Sequence, residues 1–184
     1  MTLPPAPGSI EDTPPMPTSG VLAGECHRYP VRIHWENTDA GGIVYHSEYL
    51  KFCERARTEL LRLVGIAQEK MMQEAKVAFA VAKLTIDYRR PAVLDDILIV
   101  ETRSHSMGAA SMILQQTLLR GSEVIADVSV RIACLNLVSG GPARIPASVR
   151  SRLTALESLS QEAQSGTSSG ASTSPSKPNT PSHP

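Results

Sequence analysis

The chain has no surplus of charge: eighteen Lys and Arg are balanced by eighteen Asp and Glu. The basic residues are scattered apart from the pair Arg89-Arg90. This argues against an electrostatic nucleic-acid binder, which needs a basic surface to displace counterions. No apolar run approaches the ~20 residues needed to span a bilayer. The N-terminus lacks both the basic start and the apolar core of a signal peptide. "VLAGEC" has a faint look of a lipoprotein cleavage box, but no hydrophobic segment precedes it. Cys26, Cys53 and Cys134 are an odd set without C-x-x-C spacing. They argue against a disulfide framework or a zinc site and for a reducing cytoplasm. There is no internal repeat, no glycine-rich phosphate loop of P-loop type and no G-x-S-x-G nucleophile elbow.

Apolar side chains are also sparse at the two ends. Residues 1–25 are rich in Pro, Gly, Ser and Thr, and residues 159–184 are almost free of apolar side chains. Such segments bury too little surface to offset a backbone ordering cost of roughly 1–2 kcal/mol per residue. Both are expected to be disordered tails around one domain at residues 26–158, a usual size for a compact unit.

Within that domain, "RYPVRIHWEN" alternates as a half-buried strand, with Val31, Ile33 and Trp35 on one face. "DAGG" breaks it. From Ser47 the period changes: Tyr49, Phe52, Cys53, Ala56, Leu60, Leu63 and Val64 recur at helical spacing, with Lys51, Glu54, Arg55, Arg57, Glu59 and Arg62 mostly on the other face. This predicts an amphipathic helix of about five turns, roughly 28 Å long. Ser47 suits its N-cap, Glu48 its first turn and Gly65 its stop. A shorter helix is expected over "AQEKMMQEA". "VAFAVAKLTIDYRR", "ILIVETRSHSM", "ASMILQQTLLR" and "EVIADVSVRIACLNL" read as strands, and "PASVRSRLTALESL" as a closing helix. A strand, a long helix and then about four strands able to pair antiparallel make an α+β fold, the sheet burying the helix's apolar stripe. Joining two such sheets edge to edge in a homodimer would remove an exposed edge.

The segment "WENTDAGGIVYHSEYL" sets Asp39 and His46 on either side of a Gly pair and just ahead of the helix. An Asp beside Gly-Gly is commonly a turn residue capping local amides. His46 could be a surface residue at a helix entrance, and Tyr45 and Val44 ordinary core side chains. Geometry allows a sharper reading. The helix leaves its first amides unpaired and its positive end exposed, so a carbonyl placed there is polarised and an oxyanion stabilised. Gly42 and its neighbour let the backbone approach a substrate closely. A carboxylate at Asp39 could then attack an acyl carbon or draw a proton from an attacking water.

"ENTDAGGIVYHSEYLKFCERARTELL" resembles the signature of hotdog-fold acyl-CoA thioesterases of the 4-hydroxybenzoyl-CoA thioesterase type, and within it the YbgC-type branch associated with the Tol–Pal system. Trp35, Thr38, Asp39, Gly42, Val44, Tyr45, His46 and Tyr49 match the pattern, and the similarity runs from about Arg28 to Arg150. The resemblance implies a hotdog fold, a long central helix wrapped by a mostly antiparallel sheet of five to six strands. It also implies a homodimer, often paired into a homotetramer, with sites at the dimer interface. Asp39 would be the catalytic carboxylate. Tyr45 and His46 would supply the helix entrance whose amides hold the thioester carbonyl, His46 would also position substrate or water, and Trp35, Gly42 and Ser47 would contact the substrate. Asn37 departs from the family, standing where many relatives carry an acid. Arg89, Arg90, Arg131 and Arg144 could pair with CoA phosphates, although a solvated strand surface explains each equally well. Ser111, ending "SMGAAS", resembles a turn that meets the pantetheine or nucleotide. No metal or other cofactor is called for. The expected function is hydrolysis of an acyl-CoA to free acid and CoA. The alternatives are a non-catalytic acyl-CoA or acyl-carrier-protein binding or scaffold protein and a hotdog dehydratase, whose His and acid motif is not found here.

Overall fold

The computed structural model describes residues 17–154. Its elements follow in the order β1 (Val21–Ala23), β2 (Cys26–Arg32), α1 (Glu48–Leu63), α2 (Gln68–Glu74), β3 (Val77–Tyr88), β4 (Ile97–Met107), β5 (Ser111–Arg120) and β6 (Glu123–Asn136), with a short 3-10 turn at Trp35–Asn37. Residues 147–154 are helical, as the periodicity of "PASVRSRL" predicts; the rest of the expected closing helix and the tail expected at 159–184 lie outside the described residues.

The ordered unit starts before residue 26. Val21–Ala23 pairs antiparallel with β2 through a two-residue turn at Gly24-Glu25, and Gly24 adopts φ +58°, as the first residue of a tight hairpin turn requires. Composition misses this strand because its side chains are exposed. Backbone pairing holds it instead, helped by the buried His27, whose Nε2 lies 2.7 Å from the Ser19 carbonyl oxygen.

The strands form one antiparallel sheet in the order β1-β2-β4-β5-β6-β3. β4, β5 and β6 are successive hairpins, whereas β3 lies at the far edge beside β6. The four consecutive strands therefore do not all pair with their chain neighbours. The connection after β3 instead carries the chain back across the sheet, and β4 pairs with β2.

The apolar stripe of α1 drives its packing onto the sheet. Tyr49, Phe52, Cys53 and Ala56 are buried against Val31 and Ile33, Leu98 and Val100 of β4, and Val128 of β6. Burying a side chain the size of Phe52 contributes about 2–3 kcal/mol. Lower down, Leu61 packs with Ile66, Met71 of α2, Val77 of β3 and Val149 and Leu153 of the closing helix. Gly65, at φ +74°, ends α1. Its amide donates to the Arg62 carbonyl and the Ile66 amide to that of Leu61, a Schellman arrangement that satisfies the last carbonyls.

Two residues expected on the polar face of α1 are buried. Arg57 is 8% exposed; its guanidinium donates to Gln116 Oε1 at 2.7 Å and also pairs with Glu54. Gln116 in turn donates to the Cys53 carbonyl and to Thr102 Oγ1. Glu59 is covered by Ser19, whose hydroxyl donates to its Oε2 at 2.8 Å. Helical periodicity identifies a stripe, but it does not show that β5 places a polar acceptor beside one edge of it.

Candidate active site

Strand β2 ends at Arg32 because the chain turns. Asn37 Oδ1 accepts the His34 amide at 2.9 Å and the Asn37 amide donates to the His34 carbonyl. Trp35 thus leaves the face it was expected to share with Val31 and Ile33. It sits in the 3-10 turn, 79% exposed, away from the cleft described below.

Residues 38–44 form a closed loop. Thr38 bridges Val44, and the Asp39 amide donates to the Ile43 carbonyl at 3.0 Å. Within it the Gly42 amide donates to the Asp39 carbonyl, and Gly42 holds φ +76°. The far side is stitched to the chain after β3: Ile43 bridges Val93, and the Val44 amide donates to the Ala92 carbonyl. The loop re-enters at Tyr45, whose amide donates to the Asn37 carbonyl at 2.9 Å.

The Asp39 side chain takes the turn role expected of an Asp beside Gly-Gly. Its Oδ1 accepts the Gly41 amide at 2.8 Å, an Asx turn. Its carboxylate is exposed and forms no ion pair among the described residues. One oxygen is thus fixed by the backbone, and the other accepts no hydrogen bond among the described residues.

At the helix entrance, Ser47 occupies the N-cap position but does not cap. Its backbone is already helical, at φ −76° and ψ −18°, and its hydroxyl accepts no bond from the first turn. The Tyr45 amide is committed to Asn37, and the Glu48 amide donates to the Tyr45 carbonyl. Among the described residues, the His46 and Ser47 amides donate to no acceptor. Tyr45 therefore offers its ring to the site and not its N–H. That ring lies 4.3 Å from the His46 imidazole, centroid to centroid.

Asp39, Tyr45, His46, Arg89 and Arg90 line a single cleft, closed by Ile43, Tyr49, Tyr88 and Pro91. Tyr88 and Tyr49 were not singled out for the site. The Tyr88 hydroxyl donates to the His46 carbonyl at 2.8 Å and fixes the helix entrance from the end of β3. The Ala92 amide donates to the Tyr49 hydroxyl at 3.1 Å, and the two tyrosine rings meet edge to face at 5.5 Å. No local signal in the sequence announces a bond between residues 42 positions apart. Asn37 could have been suspected, because Asn at the end of a strand commonly bonds nearby backbone.

The cations divide. Arg89 and Arg90 lie beside the cleft, both amides donating to the Ile125 carbonyl. Their guanidinium groups are exposed and pair loosely with Asp127 and Glu123, at 3.3 and 3.7 Å; such pairs are weak and exchange readily. Ser111 and Arg144 lie elsewhere in the protomer. Ser111 faces Ala133 of β6, and the Arg144 carbonyl accepts the Cys134 thiol. Arg131 faces Lys83 in β3. These three residues do not line the Asp39 cleft, and neither do Gly42 and Ser47, which only neighbour lining residues along the chain.

A family model described as the thioesterase-like superfamily matches residues 31–153. The chain belongs to this superfamily. It has the family's hotdog fold and is an enzyme of the thioester-hydrolase class. Over 122 residues it is 42% identical to the acyl-CoA thioesterase YbgC of Haemophilus influenzae, covering 66% of this chain and 90% of that one. It is 30% identical to the long-chain acyl-CoA thioesterase FadM of Escherichia coli, covering 67% of this chain and 93% of that one. Among solved structures, a probable thioesterase from Bartonella henselae superposes with a TM-score of 0.63 at 32% identity, covering 66% of this chain and 99% of that one. The described residues contain no helix long and apolar enough to cross a membrane.

Proposed function

We propose that this thioesterase hydrolyses an acyl-CoA thioester to a free carboxylic acid and CoA, with Asp39 as the reacting carboxylate. The observation that carries the reading is one cleft lined by both Asp39, with its half-free carboxylate, and His46 at the mouth of α1, where the His46 amide and that of the adjacent Ser47 have no partner among the described residues. A thioester carbonyl seated against those amides gains electrophilicity, and the negative charge that develops on its oxygen is stabilised. Losing one such donor costs about 2.7–4 kcal/mol in comparable hydrolytic sites.

Two routes fit. As nucleophile, Asp39 attacks the acyl carbon, the C–S bond breaks, CoA leaves as a thiolate that takes a proton, and water then cleaves the anhydride to acid and carboxylate. As base, Asp39 takes a proton from the water that attacks the same carbon, and the thiolate receives a proton as it leaves. A single turnover in ¹⁸O-labelled water tests the nucleophile route: when water attacks the Asp39 carbonyl carbon of the anhydride, the first product leaves unlabelled and ¹⁸O stays in Asp39, whereas the base route labels the first product and never Asp39.

The reading includes a homodimer joined through β3. This strand has 12 residues, lies at the sheet edge and leaves Val81 49% exposed, whereas the opposite edge, β1, has 3 residues. Antiparallel self-pairing sets the Val77 end of one β3 beside the Tyr88 end of the other. Ser111 and Arg144 belong to the Val77 end, through Ala133 opposite Ala80 and Cys134 opposite Phe79. A second copy would therefore bring the partner's Ser111 and the partner's Arg144 toward the Asp39 cleft, where pantetheine and phosphate must lie. Acyl-carrier protein remains an alternative thiol carrier. The three cysteines are free and buried, in keeping with a cytoplasmic setting.

Free-thiol release from a panel of acyl-CoAs tests the activity and gives the acyl preference. Asp39→Asn is expected to lose at least about 100-fold in kcat while remaining folded. Full activity in that variant removes Asp39 from the mechanism, and tight acyl-CoA binding by the wild type without thiol release favours a binding protein.

A further inference from the structure

Asn37 is 6% exposed, and its polar groups all serve the ends of one loop. On the strand side, its Oδ1 accepts the His34 amide and its own amide donates to the His34 carbonyl. On the helix side, its carbonyl accepts the Tyr45 amide, and its Nδ2 donates to Glu48 Oε2 at 2.9 Å. The two ends of the Asp39 loop thus meet at this one side chain and its peptide, while the far side of the loop is held by Ala92 and Val93. Glu48 is itself buried, 7% exposed, in the first turn of α1. Its other oxygen accepts from Lys51, and Arg55 is the remaining cation that acts on it.

We infer that Asn37 is the positioning residue of the Asp39 loop, and that it works as one half of a matched pair, a carboxamide donor facing the buried carboxylate of Glu48. The inference rests on the reading of Asp39 given above. The pair sets the distance between the Asp39 carboxylate and the open amides of α1, because it ties the base of the loop to the first turn of the helix. The chemistry of the match is directional. An amide at 37 donates to a carboxylate at 48; a carboxylate at 37 has nothing to donate and would place two like charges at hydrogen-bond distance, of which Lys51 can neutralise one. Exchanging both groups restores the bond with its polarity reversed: an Asp at 37 accepts from a Gln amide at 48.

The test uses the full chain in four forms: wild type, Asn37→Asp, Glu48→Gln and the double variant. The readouts are kcat and KM by thiol release across pH, and hydrogen–deuterium exchange of the peptide spanning residues 38–46. Asn37→Asp is expected to lower kcat on the order of 10–100-fold with KM little changed, as small misplacements of reacting groups do. Its loop should exchange faster while β5 is unaffected, and its kcat relative to wild type should recover as pH falls and the two carboxylates come to share a proton. The double variant regains kcat and loop protection together. A folded Asn37→Asp with wild-type kcat and unchanged exchange overturns the inference, as does a double variant no better than the single one. If Asn37→Asp does not fold, a folded, active double variant supports the matched pair and an unfolded one overturns it. Asp39→Asn is measured in parallel. Full activity there removes the proposed mechanism, and the exchange data still decide whether Asn37 and Glu48 hold the loop.

Discussion

Gly41 and Gly42 are neighbours with different reasons to be glycine. Gly42 has φ +76°, and a Cβ there would meet nothing within 4 Å. Gly41 has no such backbone demand, but its Cβ would lie 3.0 Å from Asp39 Oδ1. Gly42→Ala is therefore expected to cost about 1–2 kcal/mol of stability through left-handed strain, seen in urea unfolding. Gly41→Ala is expected to push the Asp39 carboxylate aside and lower kcat several-fold with a smaller change in stability. Equal effects of the two on kcat and stability would contradict this division. The matched pair has a consequence at the same scale: a family member with a carboxylate at the place of Asn37 should carry a neutral hydrogen-bond donor at the place of Glu48. Aligned sequences that regularly combine two acids there would count against the pairing. The departure at Asn37 thus finds a local reason in this chain, since Glu48 already supplies the carboxylate.

Among the elements, α1 is legible because its signals are local: an apolar stripe of period 3.6 and a Gly65 stop. β1 is not, because three exposed residues carry no period and owe their order to β2 and to the groups beneath them. His27 is one of those groups. It is fully buried on β2, its Nε2–H donating to the Ser19 carbonyl while Nδ1 has no partner. Burial holds its pKa below the ordinary value near 6.5, against a smaller upward pull from the Ser19 hydrogen bond and a further one from Glu59. Below about 6.5 the unfolded chain binds a proton that the folded chain refuses, so stability falls as pH drops through that window. Urea titrations at falling pH are expected to show this loss, and His27→Gln, which keeps a donor for Ser19 without titrating, should remove that part of the slope. An unchanged slope in the variant would assign the loss to other groups.

At the scale of the whole molecule, the sheet has one short edge and one long one. β3 presents 12 residues with Val81 exposed and a register irregularity between Val81 and Lys83. Long uncovered edges invite pairing, and an added charge on the edge is a common way to prevent it. If the proposed dimer forms through β3, Val81→Asp is expected to shift the protein toward monomer by light scattering and to lower thiol release with it, because the partner's Ser111 and the partner's Arg144 would no longer reach the cleft. A monomeric variant with full activity would show that one protomer suffices.

What the sequence by itself determined is what lies close along the chain: the helix and strand segments, the stop of α1, and the meeting of Asp39 with the helix entrance seven residues on. Their signals are periodicity and turn chemistry, which operate over a few residues. The tertiary structure alone decided that β3 leaves its chain neighbour for β6. It alone brought Tyr88, Arg89 and Pro91 to the Asp39 cleft, turned Trp35 outward and buried Arg57 beside Gln116. These outcomes depend on which distant surfaces exclude water together, and a hydrogen bond across 42 or 59 residues leaves no trace in the spacing of either partner.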